Sequence, residues 1–382
     1  MFDPIEMKTI EPLKCLYRLM LSLAAMLLMG FNAAAQPVII DHQSTDITQI
    51  PESALVQAKA SLHIAYGHTS HGSQLTSGMT GLVAFANGGG LGLNLAENFF
   101  QWNNGGSDGA LDLHDYFQPG DLGNPDRVTW AQRTREYLDD PSNTDVNVVI
   151  WSWCGQVDGT EEEIDQYLSL MNQLESDYPQ VRFVYMTGHA NGTGEEGNVH
   201  LRNQQIRDYC MQHDKTLYDF YAIECHDPDG NYFGDKAVTD ACDYDADNDG
   251  IREGNWAIEW QDAHTQGMAW YDCDSAHSQP LNANQKAYAA WWLFAVLAGW
   301  DRGDDFCPDD PDKTAPGICG CGVPDMDTDA DGVPDCNDGC PLDPAKVAPG
   351  INGCGNLESD ADNDDSGGGS GGPCFIHLLN RQ

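Results

Sequence analysis

Apolar residues between positions 36 and 300 recur with two alternating periods. Short runs dense in Val, Ile and aromatic residues predict β-strands at 62–66 (LHIAY), 146–151 (VNVVIW), 181–187 (VRFVYMT) and 216–221 (TLYDFY). Between and after them, apolar positions spaced three and four apart predict amphipathic helices at 51–60, 128–138, 161–174, 197–212 and 284–297. Strands that are almost continuously apolar and alternate with helices predict an α/β domain, a parallel sheet covered by helices on both faces. Ligands of such sheets bind in the loops beyond the strand C-termini. Two segments break the alternation. Residues 86–126 are rich in Gly, Asn and Asp and read as a long loop over the site, and 224–274 reads as an insertion holding Cys225, Cys242, Cys273 and an acidic run.

The start of the chain follows a different pattern. Lys8, Lys14 and Arg18 precede an apolar run at 19–31 that is too short to span a bilayer, and Ala33, Ala34 and Ala35 provide a small-residue cleavage site, so 1–35 reads as a signal peptide. No other stretch is a transmembrane candidate. Export makes disulfides the expected state for much of a chain with 13 cysteines. The formal charge is −42, with 18 basic against 60 acidic residues, which excludes a nucleic-acid partner because phosphate binding needs clustered Lys and Arg.

The acid concentrates after Trp300, where the chain repeats itself. Cys307-Pro308, Asp310-Pro311 and Gly320-Cys321-Gly322 recur 33 residues later as Cys340-Pro341, Asp343-Pro344 and Gly353-Cys354-Gly355. Segments this rich in Pro and Gly bury little apolar surface, so metal and disulfides are expected to supply their order. Asp327, Asp329 and Asp331 alternate before Gly332, as in loops that wrap Ca²⁺. With Asp335, Cys336 and Cys340-Pro341, this stretch resembles a thrombospondin type 3 repeat. The resemblance implies that Asp325, Asp327, Asp329, Asp331 and Asp335 ligate structural calcium. Asp245, Asp247 and Asp249 before Gly250 repeat the alternation inside the 224–274 insertion, with Glu253 as a completing ligand. Six cysteines between Cys307 and Cys354 allow 15 connectivities. The expected domains are thus a main domain at 36–300, calcium-binding repeats at 301–366 and a Gly-rich linker and tail at 367–382. Cys374-Phe375-Ile376 after the glycines is similar to bacterial C-terminal sorting signals, which leaves anchoring of the tail open, and the signal peptide makes secretion or the cell surface the expected address, with a bacterial source.

Candidate catalytic chemistry lies at both ends of the main domain. The first predicted strand runs into Gly67-His68-Thr69-Ser70-His71-Gly72-Ser73, where small polar residues crowd a strand-to-helix turn. A serine there meets backbone N–H groups and a helix dipole that favour an oxyanion. Ser70 is the preferred nucleophile, with Thr69 and Ser73 open. Asp274 and His277, three residues apart before the last helix, supply an acid and a base. This order, with Asp and His adjacent at the end, resembles the SGNH/GDSL hydrolase superfamily. The resemblance implies a flavodoxin-like three-layer α/β/α sandwich and a secreted serine esterase, with acetyl groups on polysaccharide as the substrate class and no catalytic cofactor. Gly72, Gln156, Cys154, His68, His71 and His189 are candidates for oxyanion or substrate contacts. Two alternatives stand beside it: a zinc hydrolase using His68, His71, His189, His264 and His277, and a surface glycan-binding adhesin. Trp102, Trp151 and Trp153 are the aromatic candidates for a cleft wall, while Trp291, Trp292 and Trp300 fall at core spacing.

Overall fold

Seven short strands form one all-parallel sheet in the computed structural model: β1 (Val38–Ile40), β2 (His63–Gly67), β3 (Trp102–Asn103), β4 (Leu111–Asp115), β5 (Val148–Trp151), β6 (Arg182–Met186) and β7 (Thr216–Tyr218). Their spatial order is β1-β7-β6-β5-β2-β4-β3. The structure describes residues 36–301, 319, 323–330, 333–349 and 353–355. The expected signal peptide and the tail at 367–382 lie outside them. Eight helices accompany the strands among the described residues: α1 (Glu52–Ser61), α2 (Ser73–Asn87), α3 (Thr129–Leu138), α4 (Glu161–Asp177), α5 (Asn198–Gln212), α6 (Phe220–Glu224), α7 (Trp256–Ala263) and α8 (Pro280–Leu297).

Side chains alternate across each strand, so the sheet separates two cores. Ile64 and Tyr66 of β2 join Leu55 of α1, Met79 of α2 and Trp291 of α8 in one. Ala65 joins Trp130 of α3, Ile164 of α4 and Ile206 of α5 in the other. Helix α8 is buried along almost its whole length, which explains its weak amphipathic pattern.

The stretch at 86–126 is not wholly loop. It contributes β3 and β4, and β4 pairs in parallel with β2. Polar residues disguise that strand: buried Asp112 accepts from His63 Nδ1 at 2.7 Å and from the Gly105 N–H at 2.6 Å, while Leu111 and Leu113 face the core. The 224–274 insertion holds a small antiparallel hairpin, β8 (Asp243–Tyr244) with β9 (Gly254–Asn255), followed by α7.

The chain divides into two units, Met1–Arg302 and Gly303–Gln382. Among its described residues the second has no helix or strand and two disulfides, Cys319–Cys336 and Cys340–Cys354. Such bonds persist in oxidising compartments, which fits an extracellular address. Among the described residues, no helix is long and apolar enough to cross a membrane.

Candidate active site where the strand order reverses

From β2 the chain runs outward to β3 and β4 on one side, then returns to β5, β6 and β7 on the other. The crevice between the C-terminal ends of β2 and β5 is therefore the switch point at which open α/β sheets bind ligands. The turn after β2 delivers Ser70 and His71 to it, and the loop after β5 delivers Cys154 and Gln156. The β2 turn is tight: Tyr66 Oη donates to the Gly72 carbonyl at 2.9 Å. A Cβ on Gly72 would stand 2.2 Å from Ser152 Oγ and 2.4 Å from His68 Cβ, so only glycine fits. Gly72 thus serves packing. The β5 loop is pinned by Ser152 N–H to the Gly67 carbonyl at 2.9 Å and by the buried Trp153 indole to the Met186 carbonyl at 2.9 Å.

Of the three candidate hydroxyls, Ser70 faces the base. His277 Nε2 lies 3.0 Å from Ser70 Oγ. Thr69 Oγ1 donates instead to buried Asp121 at 2.6 Å, and Ser73 Oγ donates to the Ser70 carbonyl at 2.7 Å. His277 is exposed and holds φ at +64°, a left-handed conformation that costs a non-glycine residue about 1 kcal/mol or more. Its turn is fastened on both sides. Gln74 Nε2 donates to the Ala276 carbonyl, and Asn282 Nδ2 donates to Ser278 Oγ at 2.7 Å. Both amides lead to one buried cluster: Lys286 Nζ donates to Gln74 Oε1 and, at 2.8 Å, to Glu224 Oε1, which also accepts from Asn282 at 3.1 Å. Glu224 Oε2 accepts the Ala190 N–H at 2.6 Å, tying down the loop that carries His189.

Asp274 is exposed and makes no hydrogen bond to His277, so the adjacent acid and base do not pair. The carboxylate that joins the cluster is Asp240, from the insertion. Its oxygen lies with nitrogens of His71 and His277 inside a 4.8 Å group. His71 is the centre of this arrangement. Its Nδ1 meets Cys154 Sγ at 3.2 Å and its Nε2 meets Asp240 Oδ2 at 3.0 Å. Its ring stacks between His189, with centroids 3.9 Å apart, and His277, 4.5 Å apart. Burial opposes a charge on His71, but the Asp240 and Cys154 hydrogen bonds outweigh it and push its pKa up to about 9. The same bond from His71 lowers the Cys154 thiol from its ordinary value. Burial lowers His189, whose Nδ1 donates to the Ala190 carbonyl at 2.8 Å.

His68 serves the frame. It bridges Asp115 at 2.8 Å and the Thr69 carbonyl at 2.9 Å, away from the Ser70 hydroxyl. Gln156 Oε1 accepts the Cys154 N–H at 3.2 Å, leaving its Nε2 as the donor. Of the histidines proposed for zinc, His71 and His277 come together beside Asp240, whereas His264 bonds the Trp260 carbonyl at 2.8 Å. Trp151 and Trp153 are buried among core side chains, and Trp102 packs half-buried against the other core.

Two carboxylate groups lie elsewhere. Asp245, Asp247, Asp249 and Glu253 bring oxygens within 4.8 Å of one another around the β8–β9 turn, where Asp245 accepts the Gly250 N–H at 2.7 Å. In the C-terminal unit, Asp325 accepts the Cys319 N–H at 2.7 Å, Asp327 accepts the Ala330 N–H at 2.7 Å, and Asp335 accepts the Thr328 N–H at 2.8 Å. Asp329 lies within the same described stretch, and Asp331 falls outside the described residues.

Sequence reasoning missed Asp240 and the pairing of Cys154 with His71. These residues are separated by 169 and 83 positions from His71, and no local spacing links them. No protein-family model, curated protein or solved structure matches this chain, so its function must be read from the site itself.

Proposed function

We propose that the 36–301 unit is an SGNH-like serine esterase acting outside the cell, with Ser70 as nucleophile and His277 as general base. The observation that carries this reading is the 3.0 Å contact between His277 Nε2 and Ser70 Oγ at the switch point. The order β7-β6-β5-β2-β4, renumbered from β2, is the flavodoxin-like order 2-1-3-4-5, which supports the superfamily's fold. As Ser70 Oγ attacks an ester carbonyl, His277 takes its proton at Nε2. The oxyanion forms near the N-terminus of α2, with the Gln156 amide as a further donor. His277 returns the proton to the leaving alcohol, and water then releases the acid by the same steps in reverse roles. The electrostatic partner of His277 in this scheme is Asp240 rather than Asp274. A site exposed at its His277 side suits acyl groups on a large alcohol, such as acetylated polysaccharide. Calcium is the cation we propose for the β8–β9 turn and the C-terminal unit, where oxygen ligands alternate along the chain.

Turnover of p-nitrophenyl acetate tests the reading. Ser70→Ala is expected to lower kcat by about 10³-fold or more, as loss of a triad nucleophile does. His277→Ala should do the same, while Thr69→Val, Ser73→Ala and Asp274→Asn retain most turnover. A Ser70→Ala chain as active as wild type, or glycan binding without turnover by the wild type, would remove the serine mechanism.

A further inference from the structure

Cys154 is held in a way that packing does not require. Three separated segments converge on it: Cys154 from the loop after β5, His71 from the turn after β2, and Asp240 from the insertion. The chain Cys154 Sγ, His71 Nδ1, His71 Nε2, Asp240 Oδ2 is continuous, with contacts of 3.2 and 3.0 Å. His71 is 6% exposed, whereas Cys154 is half-buried. The other free cysteines among the described residues are Cys210, Cys225, Cys242 and Cys273, and burial pushes every one of those thiols up. Cys154 is the one displaced toward the thiolate.

We propose that Cys154, His71 and Asp240 form a second nucleophilic constellation, whose thiolate accepts acyl groups from thioester and activated-ester donors. The inference does not rest on Ser70 acting as a nucleophile. The Sγ lone pair forms the S–C bond as the carbonyl π pair moves to oxygen. Collapse breaks the bond to the leaving thiolate or alkoxide, which takes the proton held on His71. Neutral His71 then takes a proton from water as its oxygen attacks the enzyme thioester. Breakage of the S–C bond releases the acid and restores the thiolate–imidazolium pair. Asp240 acts through His71 and is a positioning residue. Ser70 Oγ lies 3.9 Å from Cys154 Sγ, so both nucleophiles reach the same bound acyl group.

Two measurements on the full chain test this. Iodoacetamide at pH 6, followed by peptide mass mapping, should modify Cys154 at least about tenfold faster than Cys273. Asp240→Asn should slow that reaction and move its pH profile upward. Incubation of Ser70→Ala with an aryl thioacetate should leave an acetyl group on Cys154 that neutral hydroxylamine removes. Wild-type Cys154 reacting at pH 6 no faster than a free cysteine, or a Ser70→Ala chain that neither retains acetyl on Cys154 nor releases aryl thiol faster than Ser70→Ala with Cys154→Ala, overturns the inference; neither depends on a His71 variant folding. Fluorophosphonate labelling of Ser70 separates the two readings. An acetylated Cys154 without a labelled Ser70 upholds the thiol and removes the serine mechanism, and the reverse pattern does the opposite.

Discussion

At His71, burial and hydrogen bonding compete, and the bonds to Asp240 and Cys154 win. Its pKa is raised from the ordinary 6.5 to about 9, so the folded state binds a proton that the unfolded chain releases above 6.5. Taken alone, that stabilisation is complete below 6.5 and is lost as pH rises through about 9. Cys154 has the opposite sign. Its thiol is lowered, so its contribution is present above the ordinary 9.0 and is lost as pH falls through the folded value. Where both act, one proton gained offsets one proton lost. The expected result is that the difference in Tm between wild type and Cys154→Ala widens from pH 6.5 to 9, because the variant keeps the Asp240 bond and loses the compensation. Parallel Tm curves across that window would mean that the thiol stays protonated. This coupling was not legible in the sequence: Cys154 and His71 each stood among candidates for substrate contact, but only folding joins them to Asp240. The proximity of Ser70 and His277 joins two patterns that are local in the sequence, a polar strand-to-helix turn and a histidine before a terminal helix.

At the level of elements, α2, α6 and α8 meet at the buried Lys286–Glu224 pair, both side chains 0% exposed. Burial lowers the Lys286 pKa, and the Glu224 carboxylate opposes that loss. Removing one partner strands a buried charge, so Lys286→Met is expected to destabilise by about 3–5 kcal/mol, whereas Lys286→Met with Glu224→Gln should lose less. Urea unfolding measures both. Because Gln74 and Asn282 link this pair to the His277 turn, the double variant should also lose turnover beyond its loss of stability. A loss in the double variant equal to the sum of the Lys286→Met and Glu224→Gln losses would show that the pair is not energetically coupled. The strands β2, β5, β6 and β7 were legible as apolar runs, since both their faces are covered by helices. Strand β4 was not, because Asp112 and His114 interrupt its leucines, and the hydrogen bonds that satisfy them are contributed from elsewhere in the fold. Helix α8 begins at Pro280, ahead of the expected 284, since proline fits the first helical turn.

For the whole molecule, the two units call for different tests. The C-terminal unit has almost no buried apolar surface among its described residues, and its carboxylates are expected to repel one another until a cation binds. Adding Ca²⁺ at millimolar levels to the oxidised full chain should slow proteolysis after residue 301, with Mg²⁺ a poor substitute, and Asp327→Ala with Asp329→Ala should abolish the effect. Calorimetry that finds no heat of Ca²⁺ binding attributable to these aspartates would contradict it. The period of 33 residues and the acidic alternation were legible here, while the pairing of Cys319 with Cys336 and of Cys340 with Cys354 was not, because spacing leaves connectivity open. In the first unit, the hydroxyl facing His277 is proposed to be an activated nucleophile. Its most direct test is to treat the full chain with a fluorophosphonate and map the modified peptide by mass. A single adduct on Ser70, formed far more slowly in His277→Ala, is the expected result. A chain left unmodified, or one modified equally well without His277, would contradict it.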